Sequence, residues 1–223
     1  MKPTLLFFLS LALMLSSFCL ASPARASGAA GSRAFVSRGC VKCHSVERPR
    51  EALTREGELS KKGPDLWYAG SKFKDGFLAS WLAAPAPIRP LAYNSLEEKN
   101  KGDHPALEAA EARAVASYLM GLKATDLVAP VGIRPAANVR GRVVFSKKFA
   151  CYGCHLVGVR DESVGGLSGP SLEHTRERLN PDWIYALLTS QSAFAPVSRM
   201  PVYKGLASDA DMKALASYVA AFE

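Results

Sequence analysis

Several features are missing from this 223-residue chain. Beyond residue 26 it has no apolar run that approaches the roughly 20 residues needed to cross a membrane as a helix. It has no long basic run with interleaved aromatic residues, although its formal net charge is +8, so we expect no nucleic-acid partner. No segment alternates convincingly between apolar and polar residues, so we predict helices and no real β-sheet.

The first 26 residues have the pattern of a secretory signal peptide. Lys2 provides a basic start, residues 5–20 are almost wholly apolar, and Ala24-Arg25-Ala26 offers a small-x-small cleavage site. We therefore expect residues 1–26 to be removed on export to the periplasm or an equivalent compartment. An uncleaved membrane anchor is the alternative.

Disulfide bonds are not expected, because every cysteine of the mature chain lies in one of two short motifs that have another use. Of the five cysteines, Cys19 lies in the signal segment. The other four form two Cys-x-x-Cys-His motifs, in which Cys40 and Cys43 precede His44, and Cys151 and Cys154 precede His155. This is the attachment sequence of c-type haem, in which two thiols bond to the porphyrin and the histidine binds the iron. A zinc site and a redox disulfide are alternatives, but neither requires a histidine after both pairs.

The two motifs are landmarks of an internal repeat. Gly63-Pro64 follows the first motif, Gly169-Pro170 follows the second, and the halves end in the similar amphipathic segments AVASYLMGL and ALASYVAAF. We predict two tandem domains, 27–123 and 141–223, joined by the proline-containing linker 124–140. Because short helices alone bury little apolar surface, each domain is expected to fold around a haem.

The order of these landmarks resembles that of dihaem class I c-type cytochromes of the cytochrome c4-like type. The resemblance covers about residues 28–223. It implies an all-α fold of two small cytochrome c domains, each a few helices wrapped around a covalent haem c, and therefore two haem irons in the chain.

The resemblance also implies particular side-chain contacts. An N-terminal helix of each domain would cross the C-terminal helix, with Phe35 against Tyr118 in the first half and Phe145 against Tyr218 in the second. The carbonyls of two prolines would accept hydrogen bonds from the proximal imidazoles and so fix their orientation. These prolines are Pro64 and Pro170.

The halves differ in the residue expected on the far side of the iron. The resemblance implies a methionine in a Met-Pro turn, and Met200 fits this place in the second half, with core filling as its alternative role. The first half has His104 before a proline instead, so we expect a His44/His104 pair. A solvent-facing His104 is the alternative, with a five-coordinate iron or with Tyr93 as ligand. The remaining histidine, His174, is expected at the surface.

This ligand pattern leads to the functional interpretation. Methionine opposite histidine raises the reduction potential of a haem, and two histidines leave it lower, so electrons are expected to enter at the first haem and rest on the second. We interpret the chain as a periplasmic electron carrier that serves redox partner proteins and has no catalytic residue. The alternatives are a dihaem peroxidase or thiosulfate dehydrogenase, and a haem subunit of a membrane respiratory complex. The charged stretch 45–62 is expected to be a solvated loop or, alternatively, a docking loop.

Overall fold

The computed structural model describes residues 23–51 and 53–223, and the fold is mostly helical. In the first half the helices are α1 (Pro23–Ser37), α2 (Arg55–Leu59), α3 (Ala69–Lys72), α4 (Phe77–Ala83) and α5 (Ala109–Met120). In the second half they are α6 (Val139–Val143), α7 (Thr175–Arg178), α8 (Pro181–Thr189), α9 (Gln191–Phe194) and α10 (Asp209–Val219). No helix in the described part of the chain is long and apolar enough to span a membrane.

The predicted ends of the signal peptide and of the linker both fall within helices. Residues 1–22 of the predicted signal peptide lie outside the described residues, and the remaining residues 23–26 fall in the first turn of α1. Helix α6 begins at Val139, so its first two residues lie within the predicted linker. The preceding part of the linker contacts the second half, because the Ala136 amide donates to the Ser217 carbonyl. The domain limits 27–123 and 141–223 stay a prediction.

In the first half, α1 crosses α5 at very close range. A Cβ added to Gly31 would lie 1.9 Å from the Ala114 carbonyl oxygen, so only glycine permits this approach. One turn later the buried Phe35 packs against Tyr118 with 5.8 Å between ring centroids. This confirms the first ring contact that the resemblance implies.

The second half repeats the same crossing. Helix α6 continues as a π-helical turn, Val144–Lys148, and together they cross α10. A Cβ on Gly141 would lie 2.2 Å from the Ala214 carbonyl oxygen, and the Phe145 and Tyr218 ring centroids are 5.7 Å apart. The second predicted ring contact is therefore also confirmed.

Helix α10 is fixed at its first turn by capping and by ion pairs. The Ser208 side chain accepts a hydrogen bond from the Asp211 amide, which is a standard N-cap. The Asp211 carboxylate in turn binds Arg140 at 2.7 Å and Lys148 at 2.8 Å. These hydrogen bonds to cations hold the pKa of Asp211 well below its usual range, and they tie α6 and the π-helical turn to α10.

The prediction that the chain contains no sheet is wrong. Strands β1 (Leu156–Val159) and β2 (Glu162–Gly165) form an antiparallel hairpin directly after the second motif, with Leu156 paired to Gly165. The two-residue turn places Arg160 at φ 57°. Every residue of β2 is exposed, so no alternating apolar pattern marks it, and the hairpin depends on backbone pairing and its short turn.

The two halves meet along a seam, which we define as residues 72–74 paired with residues 178–180. The Lys74 amide donates to the Arg178 carbonyl at 3.0 Å, and the Asn180 amide donates to the Lys72 carbonyl at 2.8 Å. The two donors, Lys74 and Asn180, lie 106 positions apart in the chain, and so do the two acceptors, Lys72 and Arg178. The two hydrogen bonds are therefore related by an approximate two-fold axis.

Aromatic side chains from both halves pack beside the seam. The Tyr68 ring stacks on Trp183 with 6.3 Å between centroids, and Trp67 stacks on Phe194 at 6.1 Å. All four side chains are buried. The halves are therefore joined by a hydrophobic contact as well as by backbone hydrogen bonds.

The charged stretch 45–62 is mostly exposed among its described residues, as expected of a solvated loop, but its second part is ordered. It contains α2, which begins after the N-cap Thr54, and it buries Glu58. Lys61 lies 2.8 Å from the carboxylates of both Glu58 and Asp65. The Asn94 side-chain amide donates to the Glu58 carbonyl at 3.0 Å. Residues 54–61 are thus attached to the body of the first half.

Candidate haem-binding sites

The two Cys-x-x-Cys-His motifs have the same backbone conformation. A residue with positive φ, Gly39 at 73° or Ala150 at 48°, is followed by a 3-10 turn that begins at the first cysteine. The histidine amide then donates to the carbonyl of that cysteine, at 3.0 Å for Cys40 and 3.1 Å for Cys151. All four motif cysteines are free thiols. One tight turn thus presents two sulfurs and an imidazole together, as attachment to one porphyrin edge requires.

Both proximal imidazoles are oriented by a proline carbonyl. His44 Nδ1–H donates to the Pro64 oxygen at 2.8 Å, and His155 Nδ1–H donates to the Pro170 oxygen at 2.7 Å. The hydrogen bonds that the resemblance implies are therefore present. Since a carbonyl only accepts, Nδ1 carries the proton and Nε2 keeps its lone pair.

The environment of these rings favours neutral imidazole. Burial lowers the pKa of both His44 and His155, and it outweighs the opposing effect of the hydrogen bonds to proline. Each ring also packs against a glycine, because a Cβ on Gly63 or on Gly169 would lie 2.7 Å from the imidazole Cε1. A neutral, oriented imidazole with a free Nε2 is the form that binds a metal.

On the distal side of the first half, His104 lies close to His44. The centroids of the two imidazole rings are 6.2 Å apart. Imidazoles on opposite sides of one metal would have centroids about 6 Å apart, because histidine nitrogen–metal bonds are about 2 Å long, as known for zinc. His104 packs on Trp81 at 4.7 Å, and its Nδ1–H donates to the Pro105 oxygen at 3.0 Å, which leaves Nε2 available.

The other distal candidate of the first half, Tyr93, has a different environment. The Arg89 guanidinium lies over its ring at 5.7 Å. Burial raises the pKa of the Tyr93 hydroxyl, which disfavours the phenolate that would bind iron.

In the second half, Met200 lies in a turn that is anchored beside the second motif. Met200 is partly buried and packs against the core. Three residues later, the buried Tyr203 packs on Phe149 with 4.8 Å between ring centroids. Burial raises the pKa of the Cys151 thiol, and a hydrogen bond with Tyr203 opposes this effect. His174 is exposed, in agreement with its expected surface position.

Buried polar groups at the seam fit the carboxylates of haem. Lys72 lies 5.0 Å from the Trp183 ring centroid, and the Trp183 indole N–H is buried without a hydrogen-bond partner among the described residues. Arg178 is also buried. In the described part of the chain, neither Lys72 nor Arg178 forms an ion pair. Arg178 does donate to the Ser171 carbonyl at 2.6 Å. A buried donor without a partner, such as the Trp183 N–H, is costly, and a propionate group would satisfy it and pair with the two cations.

The effect of this burial is visible in the pKa values of the seam cations. Burial lowers the pKa of Lys72 to about 7 and that of Arg178 to about 10, and the charges of Arg178 and Arg89 add to the effect at Lys72. Sequence reasoning missed Lys72, Arg178 and Trp183. A signal for the two cations was present, because each lies eight residues after the proline of its Gly-Pro pair.

These features together define a c-type cytochrome domain. Residues 136–219 match the family model described as cytochrome C oxidase, cbb3-type, subunit III. The match lies in the second half and supports an electron-transfer domain of the c-type cytochrome kind there, a kind that binds haem c covalently. No curated protein and no solved structure matches the chain.

Proposed function

We propose that the chain is a dihaem electron-transfer protein of the periplasm or an equivalent compartment. Cys40 and Cys43 would attach the first haem, and His44 and His104 would bind its iron. In the second half, Cys151 and Cys154 would attach the haem, and His155 and Met200 would bind its iron. Electrons would pass from a donor protein to the first haem, then to the second, and then to an acceptor protein.

The side chains of this chain have defined roles in the proposal. Bound haem supplies an iron that alternates between the ferrous and ferric states. Pro64 and Pro170 hold the imidazoles in one tautomer, so that no ring has to reorient when the iron changes charge.

The observation that supports two haems is the repetition of the proximal geometry. The first motif has the same turn, the same imidazole-to-proline hydrogen bond and the same glycine contact as the second. The second motif lies within the region that matches a cytochrome family. A zinc or disulfide function would not require the proline contact in both halves.

A second candidate function is a haem subunit of a membrane respiratory complex. The family matched by residues 136–219 is a subunit of a terminal oxidase by its description. Such a subunit would carry out the same electron transfer while attached to its complex. Native electrophoresis of solubilised membranes would distinguish the two functions. A subunit would migrate with an oxidase, whereas a free carrier would not.

The test begins with the exported protein from a host that matures c-type cytochromes. We expect two haems per chain by pyridine haemochrome assay and an intact mass that equals residues 27–223 plus two haem groups. One haem or none would contradict the proposal, and so would a chain that retains residues 1–26.

Ligand assignment follows by spectroelectrochemical titration. We expect two potentials, with His104→Ala moving only the lower and Met200→Ala moving only the higher. Equal potentials in the parent protein, or no change in either variant, would refute the assignment. Rapid binding of carbon monoxide at the first haem of the parent protein would favour an enzyme of the peroxidase or thiosulfate dehydrogenase type, because catalysis needs an accessible iron.

A further inference from the structure

Trp81 has a fixed position on the distal side of the first candidate haem site. It lies in α4, whose Leu78 and Leu82 side chains are buried. The Trp81 side chain is partly buried and packs against the core. Its indole N–H donates to the Ala86 carbonyl at 2.9 Å, just beyond the end of the helix. The helix, the core and this hydrogen bond together fix the orientation of the indole ring.

His104, by contrast, lies in a segment without regular structure. Residues 101–106 are exposed and belong to no helix or strand. Among the described residues, no hydrogen bond joins this segment to a helix or strand, and the His104 Nδ1–H donates only to the carbonyl of its neighbour Pro105. The next anchor is the Leu107 amide, which donates to the Leu82 carbonyl at 2.9 Å. The direction of the imidazole is therefore not set by the backbone and must be set by side-chain packing.

The Trp81 indole supplies this packing. The Trp81 and His104 ring centroids are 4.7 Å apart, and the two ring planes are tilted by 59°. The same imidazole lies 6.2 Å from the His44 ring, centroid to centroid, which is near the separation expected for two imidazoles on one metal. An aromatic contact of this kind changes an equilibrium constant by about two- to tenfold.

We propose that Trp81 is a positioning residue that holds the His104 imidazole on the first iron and so keeps that iron closed to external ligands. Trp81 acts through His104 and is neither a ligand nor a catalytic residue. When the imidazole turns away, the distal position opens, and a small molecule such as carbon monoxide can bind there. The inference rests on the proposed dihaem function with His104 as a ligand. It makes Trp81 the residue that keeps the first haem an electron carrier rather than a site of ligand binding or catalysis.

The experiment measures the rate of carbon monoxide binding to the reduced, haem-loaded protein by stopped-flow absorption. Trp81→Leu removes the aromatic ring, Trp81→Phe keeps a ring without the indole N–H, and Phe77→Leu removes a ring from the same helix as a matched control. The Phe77 ring packs on Phe73, with 5.5 Å between centroids. His104→Ala is the reference for an open first iron, and its spectrum identifies the haem that binds carbon monoxide.

We expect Trp81→Leu to raise the rate of carbon monoxide binding at the first haem about fivefold, towards the rate of His104→Ala. Trp81→Phe and Phe77→Leu should change this rate less than about twofold. Binding at the second haem should stay the same in all three variants, which separates lost positioning from a general loosening of the fold.

An unchanged rate in Trp81→Leu would overturn the inference. Equal acceleration in Trp81→Phe or in Phe77→Leu, or at both haems of Trp81→Leu, would overturn it as well. Failure of the proposed function has a different result, because the parent protein would then lack two haems, or His104→Ala would leave carbon monoxide binding at the first haem unchanged.

Discussion

Gly141 offers a direct test of the helix crossing in the second half. The perturbation is Gly141→Ala, which adds one methyl group where α6 passes α10. That methyl carbon would lie 2.2 Å from the Ala214 carbonyl oxygen and 2.6 Å from Tyr218 Cβ, whereas ordinary contacts are 3.4–4 Å. Both neighbours belong to the helix backbone or its first side-chain atom, so neither can rotate away. The helices must separate by more than about 1 Å to accommodate it.

The expected magnitude follows from two opposing effects. Overpacking of this kind costs about 1–3 kcal/mol, and replacing glycine by alanine within a helix returns up to about 1 kcal/mol. The net loss is about 1–2 kcal/mol, which lowers the melting temperature by about 2–8 °C for a protein of this size. Separation of the helices would also loosen the Phe145–Tyr218 ring contact.

The assay is thermal unfolding of the haem-loaded protein, followed by circular dichroism and by haem absorption. Gly28→Ala is the matched control, because a Cβ at that helical position has no atom within 4 Å. The control should melt at or slightly above the temperature of the parent protein. If Gly141→Ala melted within 1 °C of the parent, the close crossing described above would be refuted.

Three further predictions concern ion pairing, backbone strain and the seam. Because hydrogen bonds from Lys148 and Arg140 lower the pKa of Asp211, the unfolded chain takes up its proton first as pH falls below about 4, and stability is lost on acidification. Asp211→Asn should therefore lower the urea midpoint at pH 7 more than at pH 3. Ala150→Gly should raise the thermal midpoint, because Ala150 has a φ of 48° that costs a residue with a Cβ about 1–2 kcal/mol, and an unchanged or lower midpoint would contradict this. Phe194→Ala should cost about 3–5 kcal/mol and should destabilise both halves, which haem absorption and tryptophan fluorescence would report as one transition.

The proximal parts of the candidate sites were predictable because their information is local. One turn of chain contains the two cysteines and the histidine of each motif. The Gly-Pro pairs follow in the same order in both halves, and their carbonyls accept the histidine hydrogen bonds as expected. The ring contacts of Phe35 and Phe145 were implied by the resemblance to dihaem class I c-type cytochromes, and the structure confirms them.

The hairpin and the seam were not predictable, because their stability depends on contacts between distant residues or on the backbone. Strand β2 is wholly exposed, so it leaves no hydrophobic pattern in the sequence. Lys72 and Arg178 share one spacing after the Gly-Pro pairs, but the sequence does not show that they lie between the two halves. The contact between Ile88 and the second half depends on a hydrogen bond from the Ser171 amide, which spans more than eighty residues of chain.

The seam has a consequence for how the two proposed haems would work together. Its two backbone hydrogen bonds run in opposite directions between the halves, and the stacked Tyr68 and Trp183 rings are buried beside it. A hinge motion would break these bonds and expose aromatic surface, so the halves are held in one frame. Electron transfer between two sites in a fixed frame needs no domain rearrangement. A difference in potential between the two proposed haems would then arise from the surroundings of each iron, and the distal candidates His104 and Met200 are one place where the two halves differ.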